Sequence, residues 1–166
     1  MSTATLPQAT TGALPAGTKL PDFHLPVAPG RKASLSDYRG QTVILAFYPA
    51  DWSPVCGDQM SLYNEVLPDF QEHRAQVLGV SVDGPWCHGA FAEARKLRFP
   101  LLSDFEPKGA ASRVFGAYFE PGGMTNRALV IVGPDGVVRW SHLADSPGDL
   151  PGVGLIFDGL AASPVS

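Results

Sequence analysis

The sequence predicts an α/β fold with a mixed central sheet, and three patterns support this prediction. Residues 43–47 and 77–82 form short, continuous apolar runs, and each is followed by a segment with helical spacing of apolar residues. Strands that alternate with helices in this way are typical of parallel βαβ units. Residues 126–132, a Gly-Pro-Asp-Gly turn and residues 137–140 instead indicate an antiparallel β-hairpin. We therefore expect parallel and antiparallel strands in one sheet flanked by helices.

The composition favours one folded domain and argues against a nucleic-acid or membrane partner. The chain has 166 residues, of which 45% are hydrophobic, enough for a full core. Its formal net charge of −4 makes a phosphate backbone an unfavourable ligand. No apolar run approaches the roughly 20 residues of a membrane span, and the N-terminus does not resemble a secretory signal. A cytoplasmic location is the default expectation.

The cysteines and histidines give little reason to expect a metal or another cofactor. Cys56 and Cys87 are the only cysteines, too few for a disulfide scaffold. The four histidines, at positions 24, 73, 88 and 142, are scattered along the chain and are not grouped as zinc ligands. We expect no metal and no cofactor, so the chemistry of this chain must come from its own side chains.

The first half of the chain divides into an N-terminal arm and an ordered domain. Residues 1–17 are rich in Thr, Ala, Pro and Gly, which predicts a flexible arm, and residues 18–166 form the domain. A short strand is expected near residues 21–25, and a single helical turn at residues 34–40. The helix that follows Cys56 carries a regular apolar stripe, but Pro68 lacks the N–H that the helix needs, so we expect a kink or an early stop there.

The second half continues the alternation of strands and helices. Asp83 is expected to cap a helix over residues 85–96. A short strand over residues 99–103 and a short helix over residues 107–115 follow. A final helix near residues 155–160 is weakened by several glycines and is the least regular of these elements.

Cys56 falls at the junction between the first buried strand and its helix. The first N–H groups of a helix have no intrahelical partners, and together with the helix dipole they favour a thiolate over a thiol. Pro54 suits the first turn because its missing N–H would have no partner there. The residues alone also allow a plainer interpretation, in which Cys56 is a small buried residue and Ser53 an ordinary N-cap.

The spacing Pro-x-x-x-Ser-x-x-Cys, formed by Pro49, Ser53 and Cys56, resembles the active-site signature of the peroxiredoxins. The resemblance implies a thioredoxin-like fold, a Cys56 thiolate that attacks a hydroperoxide, a Ser53 hydroxyl that holds it and a Pro49 ring that shields the sulfur. The N–H groups of Val55 and Cys56 would also bind the peroxide. A Cys-x-x-Cys pair, the mark of a disulfide reductase, is absent because position 59 is Gln59.

We expect Arg127 to stabilise the negative charge on the hydroxide or alkoxide that departs when the oxygen–oxygen bond of the peroxide breaks. It begins the predicted hairpin in the sequence Asn-Arg-Ala-Leu-Val-Ile, which is similar to a peroxiredoxin segment. A guanidinium is permanently charged and offers several donors in one plane. On position alone, a surface arginine at the start of a strand is equally consistent.

Cys87 is the one internal thiol available, and we expect it to reduce oxidised Cys56 through an intramolecular disulfide. Both cysteines lie in first turns of helices that follow parallel strands, which places them near the same edge of the sheet. Against this role, Cys87 lies in an arc of apolar residues and is expected to face the interior. A disulfide also needs Cα atoms within about 7 Å. An inert core cysteine remains the alternative, and His88 beside it is expected on the helix surface.

The segments from 99 to 110 resemble most the alkyl hydroperoxide reductase E branch of the peroxiredoxins. This resemblance implies a homodimer and a thiol reductant such as a thioredoxin-like protein. Trp52, Tyr118 and Phe119 are candidates for the dimer contact if they are exposed, but they are equally consistent with packing inside the domain. The expected function is thiol-dependent reduction of hydrogen peroxide and organic hydroperoxides. A redox-regulated chaperone or a peroxide sensor on the same fold is the alternative.

Overall fold

A computed structural model describes residues 14–163 of the chain. The strands are β1 His24–Ala28, β2 Arg31–Ser34, β3 Thr42–Phe47, β4 Ala75–Ser81, β5 Leu101–Ser103, β6 Tyr118–Phe119, β7 Met124–Thr125, β8 Ala128–Val132 and β9 Val138–Leu143. The α-helices are α1 Pro54–Glu65, α2 Leu67–Glu72, α3 Pro85–Arg95, α4 Ala110–Val114 and α5 Val153–Ala161. Two short 3-10 helices, Leu35–Tyr38 and Glu120–Gly122, complete the described elements.

The central sheet has five strands in the order β5-β4-β3-β8-β9. The pairs β3/β4 and β4/β5 are parallel, whereas β3/β8 and β8/β9 are antiparallel. This arrangement confirms the predicted mixed sheet, with β8 and β9 as the predicted hairpin. Two further pairs, β1/β2 and β6/β7, form small antiparallel sheets that the sequence patterns did not indicate.

The sheet is buried on both faces, which explains why β3 is apolar at nearly every position. Ile44 and Ala46 pack with α1, α2 and α5 in one hydrophobic cluster. The alternate residues Val43, Leu45 and Phe47 pack on the opposite face with α4 and the β1/β2 hairpin. Packing on both faces therefore fixes the position of β3 up to its last residue, Phe47.

The expected break at Pro68 is present. Helix α1 ends at Glu65, and α2 begins at Leu67 with Pro68 in its first turn. The missing N–H of Pro68 costs no hydrogen bond there, because the first N–H groups of a helix have no partners within it. The apolar stripe nevertheless continues across the break, since Tyr63 and Phe70 are both fully buried.

The buried face of helix α3 differs from the face that the sequence predicted to be buried. Trp86 is 79% exposed, while His88, expected on the surface, is only 2% exposed. Cys87 is half-buried and does not lie in the middle of the buried face. The N-cap is Gly84, so Asp83 is not the cap. The difference follows from polar contacts of Asp83 and His88 with a neighbouring loop, which apolar spacing along one helix does not reveal.

The N-terminal part of the predicted arm, residues 1–13, lies outside the described residues. Leu14 is only 5% exposed, and the Gly17 N–H donates to Val138 O at 2.7 Å. The packed chain therefore extends to Leu14 at least. Of the helices within residues 14–163, none combines the length and apolarity needed to cross a membrane.

Candidate active site

The segments that carry the predicted site residues meet at one edge of the sheet. Phe47, the last residue of β3, pairs with Ala128 at the start of β8 and with Val80 of β4. The loop to Cys56 therefore leaves β3 where Arg127 enters β8. Helix α3, with Cys87 in its first turn, follows β4 at the same edge.

The first turn of α1 is fixed by Ser53. Ser53 is the N-cap, and its Oγ accepts a hydrogen bond from the Cys56 N–H at 3.1 Å. The Ser53 carbonyl accepts the first helical bond, from the Gly57 N–H at 2.9 Å. Pro54 occupies the first helical position, as predicted. The Cys56 N–H, expected to bind peroxide, is thus held by Ser53 in this structure, and a bound peroxide would have to share it.

Cys56 lies at the third helical position of α1 and is completely buried. It packs with Tyr48, Met60 and Phe91 in the core cluster on that face of the sheet. Pro49, which follows Tyr48, is also buried. Cys56 is therefore enclosed by the core and by the loop between β3 and α1 and has no contact with solvent in this structure.

Arg127 is buried against α1, with 3% of its surface exposed. Its Nη1 donates to Gln59 Oε1 at 2.5 Å and its Nε donates to Pro147 O at 2.8 Å. Gln59 lies three residues after Cys56 and shares its buried helix face. Among the described residues, no carboxylate forms an ion pair with Arg127, so its charge is not neutralised by an acidic partner.

Gln59 joins Arg127 to a buried tyrosine. Its Nε2 donates to Tyr63 Oη at 2.7 Å, so both ends of the amide are bonded. Burial raises the pKa of Tyr63, while the hydrogen bond from Gln59 and the charge of Arg127 act in the opposite direction. The neutral amide at position 59 thus orients the guanidinium without cancelling its charge.

A buried polar cluster that sequence reasoning missed lies beneath the loop. Asp51 Oδ1 accepts from Tyr48 Oη at 2.6 Å, and Asp51 Oδ2 lies 2.7 Å from His88 Nδ1. The Asp51 N–H donates to Asp83 Oδ2 at 2.9 Å. Burial, and then the charge of Asp51, raise the pKa of Tyr48 well above its ordinary value. The only signal in the sequence was a set of polar residues at the ends of two buried strands.

Cys87 lies beside this cluster. Its Sγ and carboxylate oxygens of Asp51 and Asp83 all lie within 4.8 Å of one another. Burial raises the pKa of the Cys87 thiol to about 11, and the two carboxylates act in the same direction. This arrangement therefore disfavours the thiolate form of Cys87.

The two cysteines occupy equivalent positions in different electrostatic surroundings. Each is the third residue of a helix that begins with proline, and both thiols are free. Cys56 shares a helix face with the residue that binds the Arg127 guanidinium, whereas Cys87 faces two carboxylates. The two thiols therefore have matching helix positions but differ in the charged groups around them.

The chain combines a mixed central sheet with a buried cysteine at the start of the helix that follows the central strand. This combination is typical of thioredoxin-like proteins that carry a cysteine at their active site. The sequence model of the AhpC/TSA family matches residues 16–141, and the chain belongs to this family, the peroxiredoxins. The resemblance drawn from Pro49, Ser53 and Cys56 is therefore confirmed at the level of the family.

Individual relatives agree with this assignment. Alkyl hydroperoxide reductase E of Mycobacterium tuberculosis is 33% identical over 147 residues, which cover 88% of this chain and 95% of the relative. Thioredoxin peroxidase of Echinococcus granulosus is 35% identical over 124 residues, covering 70% and 63% of the two chains. The crystal structure of Enterococcus faecalis AhpC is 32% identical and superposes with a TM-score of 0.79, covering 89% and 91%. The predicted thioredoxin-like fold is thereby confirmed.

Proposed function

We propose that this protein is a thiol-dependent peroxidase that reduces hydrogen peroxide and organic hydroperoxides at Cys56. Membership of the peroxiredoxin family supports the class of enzyme. The observation that carries the assignment to Cys56 is its place in the first turn of α1, capped by Ser53, beside the Gln59 amide that holds Arg127. The names of the relatives favour a peroxidase over the alternative of a chaperone or sensor.

The proposed first step is an attack of the Cys56 thiolate on the outer oxygen of the hydroperoxide. A sulfur–oxygen bond forms, the oxygen–oxygen bond breaks, and the leaving hydroxide or alkoxide takes a proton to become water or alcohol. Sulfur loses two electrons and becomes a sulfenic acid. A permanently charged donor beside the departing oxygen lowers the barrier, and this is the role we assign to Arg127.

The remaining site residues prepare this attack. The Ser53 hydroxyl accepts a bond from the Cys56 N–H and retains its own proton, which it can donate to a peroxide oxygen. The N–H groups of Val55 and Cys56 are the backbone donors proposed for the same oxygen. Pro49 is buried above the core and would keep bulk water from the sulfur. No metal or cofactor is required for this step.

The second proposed step is resolution of the sulfenic acid by Cys87. The Cys87 thiolate attacks the Cys56 sulfur, a disulfide forms, and hydroxide leaves and is protonated to water. Both cysteines stand in first turns at the same sheet edge, which favours this pairing. An external thiol reductant, such as a thioredoxin-like protein, then reduces the disulfide. A reducing compartment such as the cytoplasm suits this cycle.

A homodimer is the proposed assembly. Three exposed aromatic side chains follow the carboxyl ends of the three parallel strands: Trp52 is 54% exposed, Trp86 79% and Phe105 54%. An apolar rim of this kind favours a protein contact at the active-site edge. Tyr118 and Phe119, the other predicted contacts, are only half-buried, and the Arg113 guanidinium lies 3.8 Å above the Tyr118 ring.

The proposed function is tested by adding one equivalent of hydrogen peroxide to the reduced protein and measuring intact mass and free thiols. Loss of two hydrogens with both thiols consumed would support resolution by Cys87. A gain of one oxygen with one thiol left would leave Cys87 outside the cycle. Cys56→Ser should abolish turnover with a thiol reductant, and a Cys56→Ser protein with the full peroxidase rate would overturn the assignment.

A further inference from the structure

A groove of about 350 Å³ lies at the β5 edge of the central sheet, between the β1/β2 hairpin, α3 and the segment that leads into β5. Neither Cys56 nor Cys87 lines it, and it takes no part in the chemistry proposed above. Small-molecule sites in proteins typically have volumes of about 300–1,000 Å³. The groove therefore has the size of a binding site for a small ligand, outside the active site.

Apart from two arginines and one histidine, the side chains that line the groove are apolar. Those that form most of its surface are Val27, Ala92, Leu97, Phe99 and Leu101. Both ring nitrogens of His88 already have partners, Asp51 Oδ2 and the Leu102 carbonyl. These side chains thus offer nothing to the N–H and C=O groups of a peptide, whose burial without partners is costly. An alkyl chain has no such groups and suits this surface better.

Two guanidinium groups border the same apolar surface. Arg31 begins β2 and Arg98 precedes β5, and both residues are exposed. Within residues 14–163, no carboxylate forms an ion pair with either of them. Arg98 Nη2 has a neutral partner, the Asn64 carbonyl, at 3.2 Å. Because a guanidinium can bind a carboxylate through two parallel hydrogen bonds, the groove is complementary to a ligand with an anionic head and an apolar body.

Gly89 leaves the α3 side of the groove without a side chain. It lies inside α3, where glycine is less favourable than alanine because it loses more backbone entropy on folding. Packing does not require a glycine here, since a Cβ at this position would meet no heavy atom within 4 Å. The glycine therefore weakens the helix without serving a close contact in the described part of the chain, and it keeps the groove open.

We propose that this groove binds a straight-chain carboxylate of medium length, with the carboxylate at Arg31 and Arg98 and the alkyl chain against the apolar side chains. Charge complementarity favours this ligand over the protein's own N-terminal segment, because residues 1–13 contain no acidic side chain. The inference does not rest on the proposed peroxidase function, since binding needs neither cysteine.

The first experiment is a calorimetric titration of the reduced, full-length protein with sodium octanoate below its micelle concentration. Saturable binding of one octanoate per chain is expected. Two other probes separate the parts of the ligand: 1-octanol lacks the charge and acetate lacks the chain, and each should bind at least fivefold more weakly than octanoate. Added sodium chloride should weaken the binding of octanoate and leave that of 1-octanol unchanged, because salt screens exposed charges.

Arg31→Ala tests the charge. It should weaken octanoate binding about threefold to fivefold, as expected for one charge pair at an exposed position, and should not affect the binding of 1-octanol. Lys32→Ala is the matched control, because Lys32 is the next residue of β2, is also exposed and does not line the groove. This control should bind octanoate as the parent protein does.

Gly89→Leu tests the space. The leucine side chain would occupy the groove, so octanoate binding should fall at least tenfold. The fold should be retained, and the midpoint of urea denaturation should rise, because leucine is a much better helix former than glycine. Gly154→Leu is the matched control: Gly154 is an exposed glycine of α5 at which an added Cβ also meets nothing within 4 Å. Its octanoate affinity should be unchanged.

Absence of saturable octanoate binding to the parent protein would overturn the proposal. Equal affinities for octanoate and 1-octanol would refute the role of the arginines, and undiminished binding to Gly89→Leu would place the ligand elsewhere. Competition by a synthetic peptide of residues 1–13 would instead assign the groove to the chain's own N-terminal segment. Loss of octanoate affinity as the protein concentration rises would assign it to a contact between copies.

Discussion

The suppressed ionisation of Cys87 gives a prediction whose size follows from the structure. Burial, with the carboxylates of Asp51 and Asp83, raises the pKa of this thiol from 9.0 to about 11. Only the thiolate reacts with an alkylating reagent. At pH 8, two units of pKa reduce the thiolate fraction about a hundredfold. The folded Cys56→Ser protein should therefore react about a hundredfold more slowly with iodoacetamide than the same chain unfolded in urea, where Cys87 has an ordinary pKa.

The direction of the pH dependence follows from the same shift. Because the native pKa is raised, alkylation of Cys87 in the folded protein should rise about tenfold per pH unit through pH 9 and level off only near 11. In the unfolded chain the alkylation of Cys87 should level off at a pH about two units lower. Mass spectrometry of samples quenched at several times gives both profiles. A plateau below pH 9.5 in the folded protein, or equal rates in folded and unfolded chains at pH 8, would refute the account of the Cys87 environment.

Three further predictions concern the residues around Cys56. Arg127→Ala should slow the first oxidation of Cys56 by about a hundredfold or more, because a charged donor is lost in the transition state, whereas a change below threefold in stopped-flow kinetics would argue against this role. Ser53→Ala should slow the same step and also lower the free energy of unfolding by about 1 kcal/mol through loss of the helix cap, measured by urea denaturation. Gln59→Leu leaves Arg127 Nη1 and Tyr63 Oη without their partner, so it should destabilise the fold by about 1–3 kcal/mol, and an unchanged denaturation midpoint would contradict the bonds described.

The sheet and the start of α1 were predictable because the responsible signals are local. The apolar run of β3 reflects a strand covered on both faces, and the turn after Val132 is typical of a hairpin. Proline, serine and cysteine at fixed spacing before a helical stripe identify an N-terminus and its thiol. Pro68 marked the end of α1 for an equally local reason, since it lacks an N–H.

The contacts that the sequence did not reveal join residues that are distant from each other along the chain. Asp51 and His88 are 37 residues apart, and only the parallel pairing of β3 with β4 brings them together. That contact turns the polar side chain of His88 inward and Trp86 outward, against the apolar spacing of α3. The partner of Arg127 was hidden for the same reason, because Gln59 lies 68 positions earlier.

The most direct test of the account asks which sulfur a peroxide oxidises first. Reduced protein is treated with less than one equivalent of hydrogen peroxide, the sulfenic acid is trapped with dimedone at early times, and the modified peptide is located by mass spectrometry. We predict the label on Cys56, with Cys87 unlabelled until Cys56 is consumed. Label on Cys87 first, or equal label on both, would contradict the assignment of the reactive thiol to the start of α1.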